Sequence, residues 1–144
     1  DNRLMEIDVG RLSGLTRGEA RAQEPGFFLR WTVDAGSTRY PGGESAEDVL
    51  ARATSFLDDM WAKLGPSDTV LVVAHAVVLK CMVIATLRSD VSHYPRIVLR
   101  NASLSAIKLD AGGPHVDFVN ATHHLDGASL AEDRDCQRSR GHSR

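Results

Sequence analysis

Residues 68–80 read Asp-Thr-Val-Leu-Val-Val-Ala-His-Ala-Val-Val-Leu-Lys, an unbroken apolar run that ends on His75 and passes straight into a second apolar segment. Residues 70–74 are too few for a helix and rich in β-branched side chains, which predicts a strand buried on both faces. His75 then stands at the carboxyl end of that strand, the edge at which open α/β sheets bind ligands. By spacing alone it is either such a ligand-facing residue or a satisfied histidine at a strand end.

A chain of 144 residues is long enough for one domain with a real core. Its net charge of −2 leaves no global field to gather nucleic acid or an anionic membrane. The two cysteines, Cys81 and Cys136, fit neither a disulfide framework nor a zinc spacing, which predicts free thiols in a reducing, cytoplasmic compartment. The longest mostly apolar stretch, residues 70–84, is interrupted by His75 and Lys80 and is too short to span a bilayer. The chain opens on polar residues with no secretory signal and no initiating methionine, as a piece of a longer chain would.

In chain order, residues 4–15 carry Gly10 and Gly14 without a sustained period and read as an ordered loop. Thr16 and Glu19 have capping-box spacing, which predicts a short helix to about Gln23, stopped by Pro25-Gly26. Residues 27–40 show no clear period and are expected to form a loop that packs Phe27, Phe28 and Trp31 on the core. After Tyr40-Pro-Gly-Gly-Glu-Ser45, the spacing of Val49, Ala53, Phe56, Met60 and Leu64 predicts an amphipathic helix over Ala46–Lys63. Ser45 caps it, Asp48 lies in its first turn, and Gly65-Pro66 ends it. A buried helix is expected over residues 77–87 and a loop or short helical turn over 89–95. Strands are expected at 97–100, 104–109 and 115–120, the last two joined by a turn. Residues 126–144 are charged, small and nearly without apolar side chains, and are expected to be a disordered polar tail.

Five pieces now stand in order. They are Leu4-Met-Glu6-Ile-Asp8-Val-Gly10 with Gly14; Tyr40-Pro-Gly-Gly-Glu-Ser45 with Arg52; the run ending on His75; Asn101-Ala-Ser103-Leu; and Asn120-Ala-Thr-His-His124-Leu125. Together they resemble the later part of the histidine phosphatase superfamily, in its phosphoglycerate mutase-like branch. The match covers roughly residues 1–125. Each motif alone is weak, and five in order are fairly specific. The resemblance implies one α/β domain over residues 1–125, with a three-layer, mainly parallel sheet and flanking helices, lacking the family's amino-terminal part.

In such proteins a histidine attacks phosphorus to form a phosphohistidine that water later hydrolyses, dividing one hard step into two. A second histidine and arginines stabilise the equatorial oxygens, and a carboxylic acid protonates the leaving oxygen. The resemblance makes His75 the second, phosphate-binding histidine and Glu6 the proton donor; apart from it, Glu6 reads as a surface carboxylate at a loop edge. Arg52 is expected in a structural ion pair with Glu44, and Ser45 as a helix cap, because no nucleophile elbow surrounds it. No cofactor and no metal are expected. His123 and His124 are adjacent, so on an extended chain they point to opposite faces.

Two departures from the family bear on activity. No Arg-His-Gly, the motif that carries the nucleophile, occurs in the 144 residues, and Ala76 follows His75 where the family usually has glycine. The expected activity is phosphate-monoester hydrolysis or phosphoryl transfer on a phosphorylated small molecule, with this isolated chain inactive for want of the nucleophile. The alternative is a catalytically inactive relative that binds a phosphorylated ligand or a protein partner. A homodimer is a further expectation, because a missing central strand would leave its neighbours unpaired.

Overall fold

The computed structural model describes residues 1–125, which form four helices, a two-stranded sheet and several 3-10 turns. The predicted tail, residues 126–144, and Cys136 lie outside the described residues. Helix α1 (Arg17–Gln23) begins with the capping box expected at Thr16 and Glu19, and α3 (Ala46–Lys63) begins on the expected Ser45 cap, which Asp48 completes into a capping box. In α3, Ser45 Oγ accepts from the Asp48 amide at 3.3 Å, while Asp48 Oδ2 accepts from the Ser45 amide at 2.7 Å. Two backbone donors that the first turn would otherwise leave bare are thus satisfied reciprocally.

The apolar stripe of α3 buries Val49, Ala53, Phe56 and Leu57 against α4 (Ala76–Leu87), which contributes Val78, Cys81 and Met82. Ile7 completes this core from the amino-terminal loop. A second cluster gathers Leu12, Ala20 and Phe27, and a third gathers Ala46, Ile84 and Tyr94.

Helix α2 (Pro25–Val33) corrects the expectation of a loop over residues 27–40. Pro25 occupies the first turn, where its fixed φ suits a helix and its missing N–H costs nothing, so it starts this helix as well as ending the previous one. The aromatic packing is as expected. Phe27 is buried against Phe28 and Tyr40, and Trp31 Nε1–H donates to the Tyr94 hydroxyl at 3.2 Å.

The sheet also differs from the expectation of three layers around mainly parallel strands. Among the described residues it is an antiparallel hairpin of β1 (Leu104–Asp110) and β2 (Gly113–Ala121), turned between Asp110 and Gly113. These are two of the four expected strands. Residues 70–74 and 97–100 form no ladder among the described residues. Val72 and Ala74 pack on the α3–α4 core, whereas Leu71 and Val73 are 78% and 85% exposed. That alternation has the period of a strand, but only one face is covered, so burial on both faces is not met. Apolar content sets the preference for a strand; a backbone partner decides whether one forms. Helix α4 packs on α3, the 3-10 turn Val91–Arg96 and β2 instead of on a broad sheet. Among the described residues, no helix is long and apolar enough to cross a membrane.

Candidate active site

Residues 5–9 belong to no helix or strand, so what places Glu6 is the packing of loop on loop. Gly43 lies so close that a Cβ on it would sit 2.1 Å from Asp8 O, and one on Gly10 would sit 2.3 Å from Pro41 O. Gly10 also has φ +52°, a left-handed conformation that glycine adopts without steric cost. The Glu44 amide donates to Asp8 O at 2.8 Å and the Arg11 amide to Pro41 O at 2.9 Å. The Gly-Gly of the 40–45 motif is therefore the surface on which the Glu6 loop lies.

From there the Glu6 carboxylate reaches the first turn of α4. Its Oε2 accepts from the Val77 amide at 3.3 Å and its Oε1 from the Ile7 amide at 2.9 Å. His75 is the N-cap residue of α4, with no side-chain capping bond, and its ring is exposed. An open pocket of about 380 Å³ beside it is lined by Asp1, Leu4, Met5, Val73, Ala74 and His75. Glu6, bonded to the Val77 amide, and His75, the N-cap residue, thus come from positions 69 residues apart to the same end of α4, although Glu6 does not line the pocket beside His75. Ala76 is the first helical residue of α4, so its backbone needs none of glycine's special conformations.

The other predicted residues fall where their local chemistry put them. Ser45 is buried in its capping box. Arg52 pairs with Glu44, Nε to Oε1 and Nη2 to Oε2, both at 3.0 Å. Asn120 adopts φ +61°, which asparagine tolerates better than most residues, and its Oδ1 accepts from the Arg100 amide at 2.7 Å. His124 bonds to Ala102 O at 2.9 Å, and His115 lies by Asp110. Among the described residues, no group of three or more His, Cys, Asp or Glu side chains could hold a metal ion.

Sequence reasoning passed over Tyr40. Burial raises its pKa, the negative charge of Glu6 raises it further, and Arg17 opposes them, so the phenol stays protonated within reach of the Glu6 field. Its place in Tyr-Pro-Gly-Gly looked like turn punctuation only. Arg3 was also unread: it bridges Asp1 and Asp59 and donates to Ser55 O, tying the chain's first residues to α3.

The chain is an α/β protein, and the solved structure of Bacillus stearothermophilus YhfR is similar to it in fold. It aligns with a TM-score of 0.78 and 28% identity over 87% of this chain and 62% of that one. Phosphoserine phosphatase 1 of Hydrogenobacter thermophilus is 33% identical over 125 residues, 87% of this chain and 59% of the relative. A probable phosphoglycerate mutase, GpmB of an Enterobacter species, is 30% identical over 137 residues, 92% of this chain and 63% of the relative. The family model of the histidine phosphatase superfamily (branch 1) matches residues 1–122, and the chain belongs to that superfamily, with phosphoglycerate mutase-like relatives. It spans about three fifths of the length of these relatives.

Proposed function

We propose that this chain carries the acid and phosphate-binding part of a histidine phosphatase site, acting on a phosphorylated small molecule without a metal. The observation that carries the reading is that Glu6 bonds the Val77 amide in the first turn of the helix that His75 begins. His75 holds the phosphoryl oxygens with the free amides of the helix end. Glu6 faces the leaving oxygen and supplies the proton from its acid form, the form that does not repel a bound phosphate dianion. In the step itself a nucleophilic imidazole nitrogen bonds to phosphorus as the ester P–O bond breaks, and the Glu6 proton goes to the departing oxygen. Water then cleaves the phosphohistidine. The nucleophile is none of the described histidines in this proposal, because none lies in an Arg-His-Gly motif. The names of the two curated relatives support a phosphatase or mutase of this type.

A mainly parallel, three-layer sheet around residues 70–74 and a cytoplasmic setting belong to the same proposal. The exposed apolar side chains of Leu71 and Val73, which have the period of a strand with one open face, support the sheet. A second reading, a catalytically inactive relative that binds a phosphorylated ligand or partner, is favoured by Ala76, which follows His75 where the family usually has glycine.

The test is orthovanadate binding to the 144-residue chain, read at the Val77 and His75 resonances beside His75→Ala, together with aryl phosphate hydrolysis in the presence of a chelator. Binding that His75→Ala abolishes supports the site. Hydrolysis that survives chelation and is lost in that variant supports the hydrolase, and binding without turnover supports the second reading. No binding at all sinks both.

A further inference from the structure

We infer that Arg52, held by Glu44, is a positioning residue for the Glu6 carboxylate. What Glu6 does chemically rests on the function proposed above; how it is held does not.

A side chain on an irregular segment is placed only as well as its backbone is. Around Glu6 that backbone is bonded on both sides to one ion pair. Arg52 extends from α3 with its side chain 17% exposed, and Glu44, in the loop before α3, is 27% exposed. The Arg52 Nη1 donates to Arg3 O at 2.6 Å and Nη2 to Glu6 O at 3.4 Å, while Nε and Nη2 share the Glu44 carboxylate. Glu44 Oε2 accepts from the Asp8 amide at 3.0 Å, and the Glu44 amide donates to Asp8 O. Residues 3, 6 and 8 are thus fastened to one half-buried guanidinium–carboxylate pair, with Glu6 between the outer two.

The consequence is geometric. Four of the five N–H groups of the Arg52 guanidinium are engaged by the Glu44 carboxylate or by backbone carbonyls, so its main work is within the protein. The pair is neutral as a unit, so its effect on the site is one of placement more than of field. It fixes the height at which Glu6 leaves the loop, and so lets Oε2 reach the Val77 amide. Lysine offers one ammonium in place of the planar fork and cannot bond the Glu44 carboxylate side-on while reaching both carbonyls.

The test needs no turnover. In the 15N-labelled 144-residue chain, the Val77 amide shift is followed as pH is lowered, and the part of its change that Glu6→Gln abolishes is assigned to Glu6. That difference separates Glu6 from Asp1, Asp8, Glu44 and His75, which surround the same loop and helix end, and from Tyr40, Tyr94 and Cys81, whose own titrations feel its charge. In Arg52→Lys and Glu44→Gln the Glu6-dependent amplitude at Val77 is expected to fall by half or more, with at least tenfold faster exchange of that amide. The amides of the β1–β2 hairpin should keep their protection. Arg52→Met should give a larger loss; if it does not fold, the two milder variants carry the test. An unchanged Val77 amplitude in both overturns the proposal. So does an equal loss of protection at Val77 and throughout the hairpin, which is what a purely structural staple would give. A chain that binds no vanadate yet shows the selective Val77 effect removes the proposed function and leaves the positioning role standing.

Discussion

Glu6 Oε2 accepts a hydrogen bond from the Val77 amide at 3.3 Å, so the carboxylate of an irregular loop caps the helix that His75 begins. This single contact joins parts of the chain 71 positions apart, and the chemistry proposed for the site depends on it.

Where the nucleophilic imidazole is supplied, Glu6→Gln should matter in proportion to the basicity of the leaving group. Loss of a positioned acid typically costs on the order of 10²- to 10⁴-fold, so alkyl phosphate hydrolysis should drop in that range. p-Nitrophenyl phosphate, whose leaving group needs little protonation, should fall much less. Equal losses on the two substrates would count against the role, and the comparison is made from kcat/KM on both.

Ser45→Ala should destabilise the chain by about 1 kcal/mol, the usual cost of a lost helix cap. Its acid response follows from Asp48, whose pKa is lowered from 3.8 to about 2, first by the Ser45 hydroxyl and amide and then by Arg39. Because the folded value is the depressed one, this stabilisation is fully present above the unfolded pKa and is lost as pH falls from about 4 through 2. Urea melts across that range should show a flatter pH dependence in the variant. An undiminished slope would mean that other carboxylates dominate.

Gly43→Ala should be costly and Gly18→Ala should not. The first puts a methyl 2.1 Å from Asp8 O and 2.8 Å from the Gly10 amide, so two backbone segments must part. Overpacking of this kind costs on the order of 1–3 kcal/mol. A Cβ on Gly18, within α1, meets nothing within 4 Å, and alanine there should add roughly 0.5–1 kcal/mol. Chemical denaturation of both variants checks the pair.

The open face of residues 70–74 should make the isolated chain self-associate or melt at low denaturant, since Leu71 and Val73 are exposed apolar side chains beside backbone without ladder partners among the described residues. Leu71→Lys with Val73→Lys should lower any association seen by sedimentation velocity. A wild-type monomer at high concentration with a sharp unfolding transition would contradict this expectation.

Cys81 should resist thiol reagents. Burial, with the charge of Glu6 adding to it, pushes its pKa up to about 12 against the opposing charges of Arg52 and Lys80. In a Cys136→Ser chain, labelling at pH 8 should therefore track opening of the fold, and rapid labelling of the folded chain would show that α4 breathes more freely than its packing on α3 suggests.

Local rules made much of this protein legible in advance. The capping boxes at Thr16 and Ser45, the apolar stripe of α3 and the turn between Leu109 and Pro114 each depend on residues within a few positions of one another, so the sequence determined them alone. The pairing of Arg52 with Glu44 was also within reach, Glu44 standing in the loop just before the helix that carries Arg52. Helix α2 was not, because Pro25 serves equally as a stop and as a first helical residue and only the packing of Phe27 on Tyr40 chooses between them. The run at 70–74 announced a strand, yet a strand requires a neighbour's backbone, which no composition supplies. Glu6 is the clearest case. Nothing near it in sequence distinguishes it from a surface carboxylate, and it reaches the Val77 amide of α4 from a loop that packs on Gly43 and is bonded to the Arg52–Glu44 pair.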